Sequence, residues 1–404
     1  MASFSGRRLS ANLNIVRGYA LLFGVRAYIP VLFLHYRNLG YSFTEISFLT
    51  SGFFIGMLAL ELPSGVMADK LGRRFSMVFA SIILTAGTLM TGYGGNFAVL
   101  WLGVFLVGAS EACVSGSDEA LIYDTLKIMG REGEFNKFFG SKWAFYTFGY
   151  VIGSLFMTMV YGYGMKSVFA FSAVFSAISG VVALFLYEPE STEREHLPGH
   201  FRHFWETGLY ILRSKELVLL MALHVSILIA NQVFFQYHQF FMEESGIEVA
   251  MFGVVYAGGL FISGVSANYS HIVENNLGGQ KLLRLLILLP AVSFLGIVLN
   301  TSAFMVILAF ILCEAAFGFA LPFFNRLFND RVHSHHRATA VSIRSFADSV
   351  SIASAVPFFG LITDSQGLRP TALALFLFVV LLAWPSLRAF ASVTKSELLR
   401  KGSS

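Results

Sequence analysis

GVMADKLGRR, residues 65–74, stands between two apolar runs that are each long enough to cross a bilayer. Gly65 permits close helix approach, Gly72 supplies a tight turn, and Lys70, Arg73 and Arg74 hold one membrane face. A basic loop alone explains the cations but neither Asp69 nor the glycine spacing. The flanking runs, near 45–68 and 75–94, read as two membrane helices joined by this short polar turn.

The same pattern continues outward. Of 404 residues, 56% are hydrophobic and only 13% charged, too few charges to cover a soluble protein of this size. The other spans are predicted near 15–35, 97–125, 137–162, 166–187, 216–242, 248–270, 281–300, 303–328, 338–363 and 369–392. The expected fold is therefore an all-α membrane protein with twelve transmembrane helices. Of 28 Lys and Arg residues, only Arg37, Lys166 and Arg369 fall in outer loops, which places both termini in the cytoplasm. This bias accounts for the net charge of +4 without a nucleic-acid partner. The polar, basic start runs into the first span without a small-residue cleavage site, so no removable signal peptide is expected. Cys113 and Cys313 fall inside spans and read as small core residues.

The longest polar interruption, 187–216, divides the chain into an N-terminal bundle (1–187), a cytoplasmic linker (188–215) and a C-terminal bundle (216–404). Trp205, Leu209 and Leu212 suggest a short interfacial helix in the linker. A shift of roughly 203 to 206 residues lays Glu111-Ala112 on Glu314-Ala315 and Leu71-Gly72 on Leu277-Gly278, and gives Lys142 and Arg344 matching places. Two pseudo-symmetric six-helix bundles follow.

The 65–74 run closely resembles the G-x-x-x-D-R/K-x-G-R-R signature of the major facilitator superfamily of transporters, and twelve spans in two halves extend the resemblance over the whole chain. It implies that Asp69 bears on the start of span eleven, near HRATAVSI (336–343), and that Arg73 pairs with an acid ending span four, for which Asp124 is the candidate. These residues, with Gly65 and Gly72, then form a conformational latch. The second-half counterpart, ENNLGGQK (274–281), is degraded, and its latch is expected to be weaker. Departures matter too. Drug antiporters of the superfamily commonly carry an arginine where this chain has Val104, and a proline motif in span five where it has GYVIGSLF (149–156). Antiport is not inherited from the resemblance. ELPSG (61–65) and SGSDEALIYD (115–124) mark a subgroup without naming a substrate.

Helical rise assigns depths to the intramembrane polar residues. Arg26, Glu111, Asn231, Gln232, Glu314 and Asp348 fall in a central layer; Arg17, Glu61, Asp118, Glu119, Lys142 and Arg344 fall in a cytoplasmic one. The resemblance implies that spans one, four, seven and ten line the cavity, where most of the central residues lie. Each ionisable group at the bilayer centre costs about 2.5–3.5 kcal/mol on insertion scales, so it faces water, a partner or a functional site. Structural neutralisation offers two pairs, Arg26 with Glu111 and Arg344 with Asp348. One arginine against three central acids leaves an excess that suits reversible proton binding by Glu111, Glu314 or Asp348. Glu61, Asp118, Glu119, Lys142 and Arg344 read as a gating network on the inner side.

In NQVFFQYHQFF (231–241) amides alternate with aromatics, a wall suited to an amphiphilic solute, with Asn231, Gln232, Gln236 and Tyr237 as substrate contacts and Arg26 as an anchor for any carboxylate. HSHH (333–336) lies in a basic loop with no acid nearby except Asp330, so no metal is expected, and there is neither a phosphate-binding G-x-x-x-x-G-K-S/T loop nor an H-E-x-x-H motif. The expectation is a monomeric, non-enzymatic secondary transporter of a small organic solute in a bacterial inner membrane. A proton gradient would drive it without a cofactor, and efflux of a cationic or zwitterionic amphiphile is favoured. A proton symporter importing an anionic or siderophore-like solute is the alternative; a transporter-like sensor would need a larger cytoplasmic domain than the linker and tail provide.

Overall fold

The computed structural model describes residues 2–188 and 200–401, and the described residues are helical with short turns between. In chain order the helices are α1 (Ala2–Gly24), α2 (Leu32–Asn38), α3 (Phe43–Leu71), α4 (Arg73–Tyr93), α5 (Phe97–Ile128), α6 (Phe135–Val160), α7 (Met165–Ala183), α8 (His200–Arg213), α9 (Lys215–Glu244), α10 (Phe252–Leu277), α11 (Gly279–Leu299), α12 (Ala303–Asn329), α13 (Arg337–Gln366), α14 (Leu368–Phe378) and α15 (Trp384–Lys401). A π-helical turn, Val379–Ala383, joins the last two. Among the described residues, twelve stretches are long and apolar enough to cross a membrane.

The first span departs from the continuous helix expected over 15–35. It breaks after Gly24 and resumes as a 3-10 turn at Ile29–Val31 before α2. Pro30 is the cause: it has no N–H to give to the Arg26 carbonyl, and its ring crowds that carbonyl. Backbone freed from helical pairing is tolerated at membrane depth only when buried in protein, and here the break is pressed on α6. A Cβ on Gly149 would lie 2.1 Å from the Leu21 carbonyl oxygen, and one on Gly153 would lie 2.6 Å from the Arg26 nitrogen. The proline-free GYVIGSLF stretch therefore seats the broken helix. On the other side of α5, a Cβ on Gly108 would meet the Phe53 carbonyl oxygen of α3 at 1.9 Å. Gly108→Val and Gly149→Val are each expected to destabilise by about 1–3 kcal/mol through overpacking against immovable backbone. Gly116→Ala and Gly140→Ala, on helices with nothing near the new methyl, should instead stabilise slightly. Thermal unfolding of the purified protein in detergent checks both signs.

The internal repeat is visible in the turns. Gly40 and Gly246, Gly72 and Gly278, and Gly164 and Gly367 all adopt positive φ, at separations of 206, 206 and 203 residues. Asn96 and Ser302, also 206 apart, cap α5 and α12 by accepting from Val99 N–H and Met305 N–H.

The chain packs as two compact units. The first comprises Met1–Tyr41, Ile46–His196 and Val249–Ala257; the second comprises Ser42–Glu45, Leu197–Glu248 and Gly258–Ser404. In the first unit, the Asn12 amide pins α1 to Tyr187 by donating to its carbonyl (2.8 Å) and accepting from its N–H (2.9 Å). Of the linker, 189–199 lies outside the described residues. Its later part is the helix α8, which leaves Trp205 and Leu212 exposed.

Candidate functional site

In the first unit, the helix break delivers Arg26 to the interior, 2% exposed, where its guanidinium pairs with Glu111 of α5. Tyr146 of α6 donates its hydroxyl to the same carboxylate, 3.0 and 3.1 Å from the two oxygens. The guanidinium also lies over the rings of Phe23 and Tyr150, 5.2 and 5.5 Å from their centroids. The sequence offered this ion pair as one of two readings of Arg26 and Glu111, and Tyr146 and Tyr150 escaped it. Their signal was present: they are one helical turn apart on α6, on the face that carries Lys142.

Asp118, seven residues past Glu111, accepts from Lys142 at 2.8 Å, with the two side chains 2% and 7% exposed. The ammonium also lies over Trp143, 4.3 Å from the ring centroid. Glu61 and Glu119, grouped with this pair in the expected network, are exposed, and their carboxylates have no ion-pair or hydrogen-bond partner among the described residues. Glu119 is turned about 100° from Asp118 on the same helix, which removes it from the buried face.

At the 65–74 turn, Arg73 pairs with Asp124 and donates to the Ala120 carbonyl at 2.8 Å. Gly65 and Asp69 are exposed. Glu188, to which no role was assigned from the sequence, accepts from the N–H groups of Arg73 and Arg74 at 2.8 and 2.9 Å, an anion at the start of α4. Gly72 takes φ +97, and a Cβ there would sit 3.1 Å from this carboxylate. In the second unit an ion pair forms from the other side of the corresponding turn: Glu274, at the end of α10, pairs with Arg326 of α12. The sequence motif is degraded at this place, yet an ion pair still ties the turn region to α12.

Elsewhere in the second unit, Asp348 does not pair with Arg344 as its four-residue spacing suggested. Its Oδ2 lies 3.2 Å from Nε2 of His224 on α9, while the Arg344 guanidinium lies over Phe328 at 5.8 Å. Helical spacing puts two residues on one face, but a neighbouring helix offered the nearer partner. Glu314 of α12 is buried beside Gly259 and the Ser263 hydroxyl of α10, with no cation within ion-pair distance among the described residues. On α9, Asn231 is buried and Gln232 half-buried, while Gln236 and Tyr237 are wholly buried. His238, which the sequence reading overlooked, stacks on Phe310 at 4.5 Å. Asp364, also without an assigned role, accepts from Phe43 N–H and Thr44 N–H at 2.9 and 2.8 Å, beside the reciprocal cap of Ser42 and Glu45. His336 of the HSHH run bonds Thr207 at 2.8 Å and stacks on Tyr210.

Comparison with known proteins places these features. A family profile described as Major Facilitator Superfamily matches residues 18–356. Among curated proteins, the chain is 27% identical to the Quinolone resistance protein NorA of Staphylococcus aureus over 106 residues, 26% of this chain and 27% of that protein. It is 22% identical to Multidrug resistance protein 2 of Bacillus subtilis (strain 168) over 184 residues, 45% of each. The matched region thus spans less than half the length of either relative. Among solved structures, the nucleoside transporter NupG aligns with a TM-score of 0.79 at 13% identity, covering 95% of this chain and 99% of that one. A bacterial homologue of the human lysosomal transporter Spinster, inward-facing and unoccupied, aligns with a TM-score of 0.77 at 16% identity, covering 96% and 98%. With the family match running over most of its length and twelve apolar helices in the same fold, this chain belongs to the Major Facilitator Superfamily and is a multi-pass integral membrane transporter, not an enzyme.

Proposed function

We propose that the protein is a proton-coupled exporter of small cationic or zwitterionic amphiphiles, working as a monomer by alternating access in a bacterial inner membrane with both termini cytoplasmic. The observation that carries the coupling is the pair of buried Arg26 with half-buried Glu111 at the break in the first span. A proton and Arg26 compete for one carboxylate, so protonation releases the guanidinium at the point where helix one is already discontinuous. Glu314, buried beside the Ser263 hydroxyl with no cation in ion-pair range among the described residues, is a second acid suited to carry a proton, because an ionised carboxylate is costly at membrane depth. Export is supported by the partial likeness to NorA and Multidrug resistance protein 2, whose names record drug resistance. Import of an anionic solute anchored by Arg26 is less well supported, since Glu111 already engages that guanidinium.

The test uses purified protein in vesicles loaded with a pH-sensitive dye, challenged with a panel of cationic, zwitterionic and anionic solutes. Cationic or zwitterionic solutes are expected to drive proton movement opposite to their own. Glu111→Gln and Glu314→Gln should each reduce that movement ten-fold or more. Solute flux without proton movement in the wild type would overturn the coupling, and proton movement in the same direction as the solute would establish symport instead.

A further inference from the structure

Between the Arg26–Glu111 pair and the Asp118–Lys142 pair, the first unit contains a cavity of about 40 Å³ lined by both Glu111 and Asp118. Tyr19 and Ala20 of α1 and Ser115, Lys142 and Tyr146 complete its functional lining. One buried water needs roughly 10–15 Å³ by this measure and two to four polar partners, so the cavity takes two or three waters. The carboxylates, the Tyr146 hydroxyl and the Lys142 ammonium supply those partners. A second observation points the same way. Asp118 is 2% exposed, and while its Oδ2 is held by Lys142, its Oδ1 has no hydrogen-bond partner among the described residues. A seven-residue helical separation sets the two acids roughly 10 Å apart along α5. That distance is too long for direct transfer and right for a short water chain.

We infer that Asp118, positioned by Lys142, is the inner proton relay for Glu111 through water in this cavity. The inference rests on proton exchange at Glu111 as proposed above. In the inward step the O–H bond at the Glu111 carboxyl breaks as a cavity water takes the proton. That water's neighbour then passes a proton to the Asp118 carboxylate, from which it leaves toward the Arg- and Lys-rich face. No bond other than O–H changes and nothing is oxidised. Lys142 holds Asp118 in place and keeps its carboxylate ready to release the proton again. The groups facing Asp118 are Lys142 and Tyr146 from α6, Tyr19 from α1, and Glu111, Cys113 and Glu119 from its own helix. From α3 and α4 the neighbouring turns of α5 receive the hydroxyls of Ser64 and Ser76, and Arg73 one turn further on.

Time-resolved infrared spectroscopy of the full chain, oriented in vesicles, tests this with protons as the only probe. The Glu111 carboxyl band is identified by its loss in Glu111→Gln, and its response is timed after a pH jump on the Arg- and Lys-rich face. Two variants are compared: Ala20→Leu, which fills the cavity and keeps both acids, and Asp118→Asn with Lys142→Gln, which keeps a neutral hydrogen-bonded pair. Both are expected to slow the response ten-fold or more while the band's final amplitude is retained, a change that a packing defect alone would not produce. An unchanged rate in either variant overturns the relay while leaving proton exchange at Glu111 intact. A wild-type protein with no titrating Glu111 band overturns that exchange itself, and the relay with it.

Discussion

Lys142→Met is expected to be among the most destabilising single substitutions in the protein. It leaves Asp118 ionised at 2% exposure with its partner removed, and breaking a buried pair from one side costs about 3–5 kcal/mol. In a chain of this size that lowers the thermal midpoint by about 4–6 °C. The deficit should shrink as pH falls, because protonating Asp118 removes the uncompensated charge. Asp118→Asn produces the mirror case: Lys142 is left without its carboxylate, and its deficit should shrink as pH rises. The double variant Lys142→Met with Asp118→Leu should recover much of the loss, since an apolar pair of similar volume carries no desolvation penalty. Midpoints for the wild type, both single variants and the double, taken at acidic, neutral and alkaline pH, check this cycle. Additive single and double effects would show that the two side chains do not act as a pair.

Arg26→Met is expected to be of similar size. The Glu111 carboxylate would keep only the Tyr146 hydroxyl, and a neutral donor replaces little of the energy of a buried guanidinium partner. A loss of about 3–5 kcal/mol follows, together with weaker seating of the break on Gly149 and Gly153. Adding Glu111→Gln to Arg26→Met should restore stability without restoring transport, because the competing charge is gone along with the proton-binding group. Glu314→Gln differs in kind: with no cation to orphan, it should leave the midpoint within about 1 kcal/mol of wild type while abolishing its share of proton movement. Thermal unfolding alongside vesicle transport separates these outcomes.

The twelve spans and the glycine turn at 65–74 were legible because hydrophobic length and turn glycines are one-dimensional signals. Arg73 and Asp124 were paired from the motif, and the structure brings them together. The partners of Asp348 and Glu111 were not decided this way. Helical spacing proposed Arg344 for Asp348, whereas His224 reached it from α9, because which side chain lies closest across a helix interface depends on rotation and crossing angle. The roles of Glu188 and Asp364 were hidden for a related reason: each carboxylate caps a helix start far away in sequence, and nothing local marks it.

The sequence by itself determined that this chain is a membrane-embedded, duplicated helical transporter, because burying a helix in lipid demands a long apolar run whatever surrounds it. It also contained Pro30, the cause of the break in the first span, although the apolar run hid that break. Only the tertiary structure decided that Asp118 pairs with Lys142 and Asp348 with His224, where α6 glycines accept the broken helix, and that a water-sized cavity lies between Glu111 and Asp118. Those outcomes depend on the approach of side chains from different helices, whose distances fall off too steeply with packing geometry to be written in spacing along one chain.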